Sequence, residues 1–234
     1  MDNMAAGQRI NRIGFKSPDR LLAGIRGKDA GRKHSAIFAL RTPALLPTLH
    51  EAIRRNDIVD AVTGVLFSPL PESRADCIRR CAGATLVYAA RRRKNLPEQT
   101  TKLLFYAHPP PLAIVGHPMC AARVFRAVDE PERQRIAVIL WEALRSGDSS
   151  RACGAIQTIS EIVYGGEGMI HELRYNPTAH PWMENLLVPL GEAVGKGGAS
   201  GPILRRANDV LVMMTDVPEF YIEALAGLYA MGRV

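Results

Sequence analysis

A chain of 234 residues with 47% hydrophobic content can bury a sizeable core in one or two domains, which excludes a disordered polypeptide. Its net charge of +7 is unevenly spread: Met1 to Lys94 carries 18 Lys and Arg against 8 Asp and Glu (+10), and Asn95 to Val234 carries 12 against 15 (−3). Four scattered cysteines give no disulfide framework, and neither a signal-peptide region nor an uninterrupted apolar run of about 18 residues is present, so the expectation is an intracellular protein, soluble or peripheral to a membrane.

Helix signals recur along the chain and almost nothing reads as a strand. Ser17-Pro18, Thr42-Pro43 and Asn95-Leu96-Pro97 each set a capping residue at or just before a proline suited to a first helical turn. Leu45, Leu49, Ala52 and Ile53 recur at helical spacing, and Arg54-Arg55-Asn56 closes that segment. Ile58, Val62, Val65 and Leu66 form the next stripe, which ends at Pro69 to Pro71. Asp129 is a cap candidate ahead of Pro131, and Ile136, Ile139, Leu140 and Leu144 follow it as far as Gly147. Ile156, Ile159, Ile162 and Val163 run to Gly165-Gly166. AHPPPLAIVGHP (Ala107 to Pro118) cannot be regular helix, and GKGGASGP (Gly195 to Pro202) predicts a hinge. Two helices follow, with Phe220, Ala224, Leu225 and Leu228 on one face of the last. The expected fold class is all-α.

Catalytic motifs are wanting. GEAVGKGG has three residues between its glycines where a phosphate loop needs four, and Gly197 where Ser or Thr must hold magnesium. No grouping supplies a nucleophile, a base and an oxyanion donor, so the expectation is a protein that is not an enzyme and needs no cofactor. Cys77 and Cys81 are spaced i,i+4, but no second ligand pair accompanies them and Arg79-Arg80 would oppose a cation; they read as buried structural cysteines. His117 and Cys120 with His108 lack a fourth ligand, so no metal site is expected. Met213-Met214 and Trp182 read as core or interface filling.

VYAARRRKNLPEQ is where chemistry concentrates. Arg91, Arg92, Arg93 and Lys94 span more than one helical turn and cannot share one face. One reading is a solvated helix end, where cations favour the negative end of the dipole. The other is a landing site for nucleic acid or acidic lipid, with Arg79 and Arg80 as auxiliaries on a short helix upstream. With Tyr88 the one aromatic nearby, binding to nucleic acid would be directed to the backbone and tolerant of sequence.

The order of several segments resembles the matrix proteins of orthomyxoviruses, the influenza group: SPDRLLAGI, FALRTPALLPTLHEAIRRNDIV, TGVLFSPLPESR, LVYAARRRKN with its tyrosine before a basic box, LLFYAHPPPLAIVG, FRAVDEPERQRIAVILWEALRSGDSS and the closing FYIEALAGLYAMGRV. The likeness is collinear over most of the chain and rests on no single motif. It departs from the family in a shorter connection between Arg79-Arg80 and Tyr88, and in ILWEALRSGDSSRAC, which keeps one cysteine and no histidine of a zinc-type motif.

The resemblance implies an N-terminal matrix domain over 1–147, built of two small helical bundles at about 17–82 and 84–147, then a C-terminal helical domain over 148–234 with a flexible segment near 195–202. It implies a non-enzymatic protein that polymerises into a layer beneath a virion envelope. Its partners would be further copies of itself, acidic membrane lipid, viral ribonucleoprotein or RNA, and the tails of envelope glycoproteins. Its locations would be the virion and the host cytoplasm, nucleus and inner plasma membrane. Loosening in acid, another family trait, would make His108 and His117 the pH-sensing candidates. The alternatives are a cellular helical nucleic-acid-binding or adaptor protein that does not polymerise, and, more remotely, an enzyme using His108 and His117.

Overall fold

The computed structural model describes Phe15 and residues 17–41, 47–105, 117–165, 169–195 and 201–232, with the backbone alone at 47–50, 72 and 117. The fold is all-α, with no strand among the described residues. The chain divides into two compact units, Met1–Thr100 and Thr101–Val234.

The first unit holds α1 (Pro18–Arg26), α2 (Ala30–Leu40), a 3-10 helix (Pro47–Arg54), α3 (Asn56–Phe67), α4 (Glu72–Arg93) and the start of α5 (Glu98–Phe105). Ser17 begins α1 as its spacing predicts: its Oγ accepts from the Arg20 N–H at 3.4 Å, and Pro18 occupies the first turn, where a missing N–H costs nothing. Asp29 caps α2 by accepting from the Arg32 N–H at 2.5 Å. Pro97 stands just ahead of α5.

The 22-residue α4 packs against α2 and α3. Its alanines Ala82, Ala89 and Ala90 are buried and let Leu86 seat in a core with Leu21, Ile37, Leu40, Ile58 and Val62. The buried Thr85 hydroxyl donates to the Cys81 carbonyl at 2.8 Å, and Thr100 donates to Asp60 Oδ1 at 2.7 Å, so these hydroxyls are satisfied.

A division expected between residues 82 and 84 falls inside α4, which runs unbroken through Gly83. One glycine costs a helix about 1 kcal/mol against alanine, and the burial of Ile78, Ala82, Leu86 and Ala89 around it outweighs that. Arg79, Arg80 and the basic run therefore belong to one helix, and no separate short helix carries the first pair.

The second unit contains α6 (His117–Ala127), α7 (Glu130–Arg145), α8 (Ser149–Tyr164), α9 (Ile170–Tyr175), α10 (Glu184–Ala193), α11 (Gly201–Met214) and α12 (Tyr221–Ala230), with 3-10 turns at Pro177–Ala179 and Pro218–Phe220. Asp129 caps α7 by accepting from the Glu132 N–H at 3.3 Å, and Gly147, at φ +73°, ends the turn after that helix. A domain change expected at 147/148 falls between α7 and α8, which pack on each other within this unit. Phe125 meets Trp182 edge to face at 4.7 Å, in a core with Leu140, Ile159, Leu173 and Leu186. Buried Glu132 accepts from Arg135 Nε at 2.9 Å, so its charge is paired. The axes of α10 and α12 close to backbone contact at Gly191 and Gly227, where a Cβ on Gly191 would lie 1.9 Å from the Gly227 carbonyl oxygen.

Thr42-Pro43, Leu45, His108 and most of the two irregular segments expected at Ala107 to Pro118 and Gly195 to Pro202 lie outside the described residues, as does the His117 side chain. At their described ends His117 and Pro118 open α6 and Gly201 and Pro202 open α11, because a proline in a first turn costs the helix no hydrogen bond. Of the two cysteines expected in the core, Cys81 is buried, but Cys77 is exposed, with its Sγ 3.5 Å from His34 Nε2. The helix turns Cys77 towards solvent and Cys81 inward although both lie on neighbouring turns. No helix among the described residues is long and apolar enough to cross a membrane, and no three metal-ligating side chains gather there.

Candidate polyanion-binding site

The last turn of α4 gives its four cations different tasks. Lys94 is the C-cap, in the left-handed region at φ 65°, and its N–H returns to the Ala90 carbonyl at 2.8 Å. That geometry ends the helix and leaves the Lys94 side chain exposed beside Arg91 and Arg92. The Arg92 guanidinium lies over the Tyr88 ring at 5.5 Å.

Arg93 turns the other way. Its Nη2 donates to Asn56 Oδ1 at 2.6 Å, and its Nη1 donates to the carbonyls of Arg54 and, at 3.5 Å, Ile53. It therefore holds the end of the 3-10 helix and the start of α3 against the end of α4. Burial pulls its pKa below the usual arginine range, with the Asp60 charge opposing. A side chain spent on three internal acceptors is a structural tie, so Arg93 separates from the polyanion contacts among which the sequence reading placed it.

The same tie brings in cations that the sequence reading passed over. Arg54 ends the 3-10 helix and is exposed, and Arg55, half-buried, is the N-cap of α3 beside Asn56. Arg55 donates to Asp57 Oδ2 and to Asp19 Oδ1, each at 2.7 Å, which holds its pKa above the ordinary arginine value. The Arg55 hydrogen bond, followed by the Arg55 and Arg26 charges, keeps the Asp57 carboxyl below the usual range. Arg26 ends α1 and its charge acts on Asp57, while Arg93 joins the end of α4 to Arg54 and Asn56, so cations from the ends of α1, the 3-10 helix and α4 gather at one corner of the first unit. The only sequence signal was Arg54-Arg55 itself, which local reading could take for a helix stop.

Arg79 and Arg80 diverge. Arg79 is half-buried and its Nη2 donates to the Ser68 carbonyl at 3.3 Å, tying α4 to the end of α3. Arg80 is exposed and stands eleven residues before Arg91, which is three turns, so the two share a side of α4 about 16 Å apart. The available surface set is thus Arg80, Arg91, Arg92 and Lys94, with Arg26, Arg54 and Arg55 alongside. Asp19, Glu51 and Asp57 neutralise part of it, since Arg54 also pairs with Glu51 at 3.1 Å. Exposed pairs of this kind are worth little, and an incoming phosphate can exchange with them.

The second unit holds a buried histidine that the sequence reading did not single out. His180 is 5% exposed, with Nε2 3.6 Å from Glu172 Oε2 and Nδ1 4.0 Å from Glu130 Oε2. Burial first, then the Arg133 charge, lowers its pKa, and Glu172 opposes. The folded state thus favours neutral His180, so its contribution is complete above the unfolded value of about 6.5 and is lost as pH falls through the lowered folded value. Burial raises the Glu130 pKa, so the cost of keeping that carboxylate charged is relieved as pH falls towards the unfolded value of about 4.5. We expect the second unit to lose stability as pH falls from neutral to the mid-5 range, and His180→Gln to flatten that slope. Urea melts followed by tryptophan emission at several pH values read this, and an equal slope in both proteins would remove His180 as the cause.

Comparison of the chain with protein families, curated proteins and solved structures finds no match.

Proposed function

We propose that the chain is a non-enzymatic structural protein of the matrix type, which binds acidic membrane surfaces and RNA through its first unit and polymerises into a layer beneath a virion envelope. The observation that carries this reading is the gathering of cations from three helix ends at one corner of a unit with 18 Lys and Arg against 9 Asp and Glu. Such a corner meets phosphate groups without reading sequence, as lipid headgroups and RNA backbones require. The second unit carries 12 Lys and Arg against 14 Asp and Glu, so opposite charges on the two units favour contact between copies. A contact between unlike surfaces does not close on itself and extends into filaments or sheets. The order of segments shared with orthomyxovirus matrix proteins supports the same reading, with ribonucleoprotein and glycoprotein tails as further partners.

The test is co-sedimentation and electron microscopy of the purified chain with vesicles of phosphatidylserine and phosphatidylcholine, or of phosphatidylcholine alone. Binding restricted to acidic vesicles, weakening as salt rises and forming a regular coat, is the expected result. Isolated bound monomers would favour the cellular adaptor alternative, and indifference to lipid charge would remove the polyanion reading.

A further inference from the structure

Between α8 and α11 the second unit opens a polar cleft of about 420 Å³, lined by Ser160, Glu161, Tyr164, Gly165, Arg206 and Asp209. Tyr164 forms one wall, 44% exposed, and its hydroxyl donates to the Asp209 carbonyl at 2.6 Å. Burial first, then the Asp209 charge, pushes the Tyr164 pKa up to about 12, so the phenol stays neutral and keeps donating. Glu161 Oε1 accepts from Arg206 Nη1 at 3.2 Å, and its Oε2 takes no hydrogen bond among the described residues. The Asp209 carboxylate is exposed and pairs with no cation there. Ser160 is 6% exposed, what shows of it opens on the cleft, and its hydroxyl has no hydrogen-bond partner among the described residues. The α8 helix ends here as well, at Gly165, which puts the negative end of its dipole beside the cleft.

Those groups specify the chemistry of an occupant. The unused hydrogen-bonding capacity is that of acceptors: the Asp209 carboxylate, Glu161 Oε2 and Ser160 Oγ, which accepts as readily as it donates. An anion would find one guanidinium, Arg206, already held by Glu161 and outnumbered by two carboxylates and a helix end. A cation with several planar donors fits better. A guanidinium can lay its face on the Tyr164 ring while its N–H fork meets Asp209 and Ser160, whereas an ammonium has no face to stack. The chain itself carries a guanidinium free to do this. Among the exposed arginines described in the first unit, Arg91 alone has neither an acidic residue within four positions of sequence nor a side-chain partner: Arg92 lies over Tyr88, and Arg41 bonds Cys81.

We propose that the cleft between Glu161 and Asp209 binds an arginine side chain, and that its occupant is Arg91 of a second copy of the chain. The guanidinium stacks on Tyr164 and donates to the Asp209 carboxylate and to Ser160 Oγ, beside the Glu161–Arg206 pair. The choice of a second copy rests on the assembly proposed above and on the opposite charges of the two units; the cleft's preference for a guanidinium does not. Because cleft and donor are different surfaces, each copy gives and receives, and the contact propagates. A phosphate and the cleft compete for Arg91, so each contact between copies takes one cation from the polyanion site.

The receptor for the first test is the full chain carrying Arg91→Ala, whose own guanidinium no longer competes, and the probe is N-acetyl-arginine amide. Backbone amide resonances of Ser160, Gly165 and Asp209 are followed, with N-acetyl-citrulline amide as a control of the same shape and no charge. Saturable shifts with the arginine probe, weakened at least about tenfold with citrulline and by Asp209→Asn in the receptor, are the expected result. Asp209 is exposed, so its substitution should leave the fold intact, which far-UV circular dichroism checks. No shifts at these amides, an equal response to citrulline, or indifference to Asp209→Asn overturns the site. A charge swap in the full chain, read by sedimentation velocity at low salt, tests the occupant. Arg91→Asp and Asp209→Arg should each dissociate the assemblies, and one chain carrying both should recover them, which a mere loss of structure would not do. A wild type that stays monomeric, or a double variant no better than either single one, overturns the second copy as the occupant. Vesicle binding is scored on the Asp209→Arg chain, whose basic corner is untouched, so failure of the polyanion reading and failure of this site are distinguishable.

Discussion

Replacing Gly191 with alanine is expected to destabilise the second unit by about 3 kcal/mol, the upper end of what overpacking costs, although the same change in an exposed helix interior stabilises by up to about 1 kcal/mol. The reversal follows from geometry. A Cβ at Gly191 would lie 1.9 Å from the Gly227 carbonyl oxygen and 2.8 Å from its Cα, so the obstacle is backbone and cannot swing aside. The helices α10 and α12 would have to part by more than an ångström along their line of closest approach, opening the packing around Leu187, Leu211 and Leu228. Close-packed interiors do not accommodate that shift without strain or voids. Gly227→Ala meets the Leu187 carbonyl at 2.6 Å and is expected to act in the same direction. The internal control is Gly64→Ala in α3, where a Cβ meets nothing within 4 Å and the propensity gain of about 1 kcal/mol stands alone. Urea midpoints settle the contrast, with tryptophan emission reporting the second unit and circular dichroism the first. A stabilised Gly191→Ala would mean that α10 and α12 do not meet as described.

That crossing also shows where sequence reading ran out. A cap or a stop is a local event, and Ser17-Pro18, Asp129 before Pro131, Gly147 and Gly165 were legible because the residues that make them are neighbours. The apolar stripes of α3 and α8 were legible for the same reason. Gly191 stood out only as the first glycine of a rejected phosphate-loop match, because the residue that demands its missing side chain is Gly227, on another helix. Continuity of α4 through Gly83 was hidden because burial on both sides decided it. The cleft was equally hidden: Glu161 and Tyr164 lie 45 residues ahead of Arg206 and Asp209 and meet them only when α8 and α11 pack together. Of the basic run, composition showed that charge was concentrated and could not show which cations were free. Arg93 is occupied by carbonyls some 39 and 40 residues earlier in the chain, and Arg26, Arg54 and Arg55 join the site through folding alone.

The basic run is accordingly expected to split into two classes of residue under mutation. Arg93→Ala removes donors to two carbonyls and to Asn56 Oδ1 and leaves those acceptors in a partly covered crevice. Hydrogen bonds to a charged group are worth about 1.5–3 kcal/mol, so a loss of about 2 kcal/mol from the first unit is expected, and a lysine, with no planar fork, should not restore it. The triple change Arg91→Ala, Arg92→Ala and Lys94→Gly should behave in the opposite way. Arg91 is exposed and its loss costs little; Arg92 forfeits one exposed contact over Tyr88, worth about 0.5–1 kcal/mol. Lys94 sits at φ 65°, a backbone conformation in which glycine is at home, so Lys94→Gly removes the charge and offsets part of that loss. Stability should therefore stay within about 1 kcal/mol of the wild type. Binding should not: if the three cations contact phosphates of single-stranded RNA, the log–log salt slope should flatten by about 2, and affinity for phosphatidylserine vesicles should fall with it. Urea denaturation of the first unit and salt titrations of RNA binding on both variants separate the classes. A triple variant that binds as the wild type does would make the run a solvated helix end, and an Arg93→Ala protein of unchanged stability would cancel the tie between α4 and the start of α3.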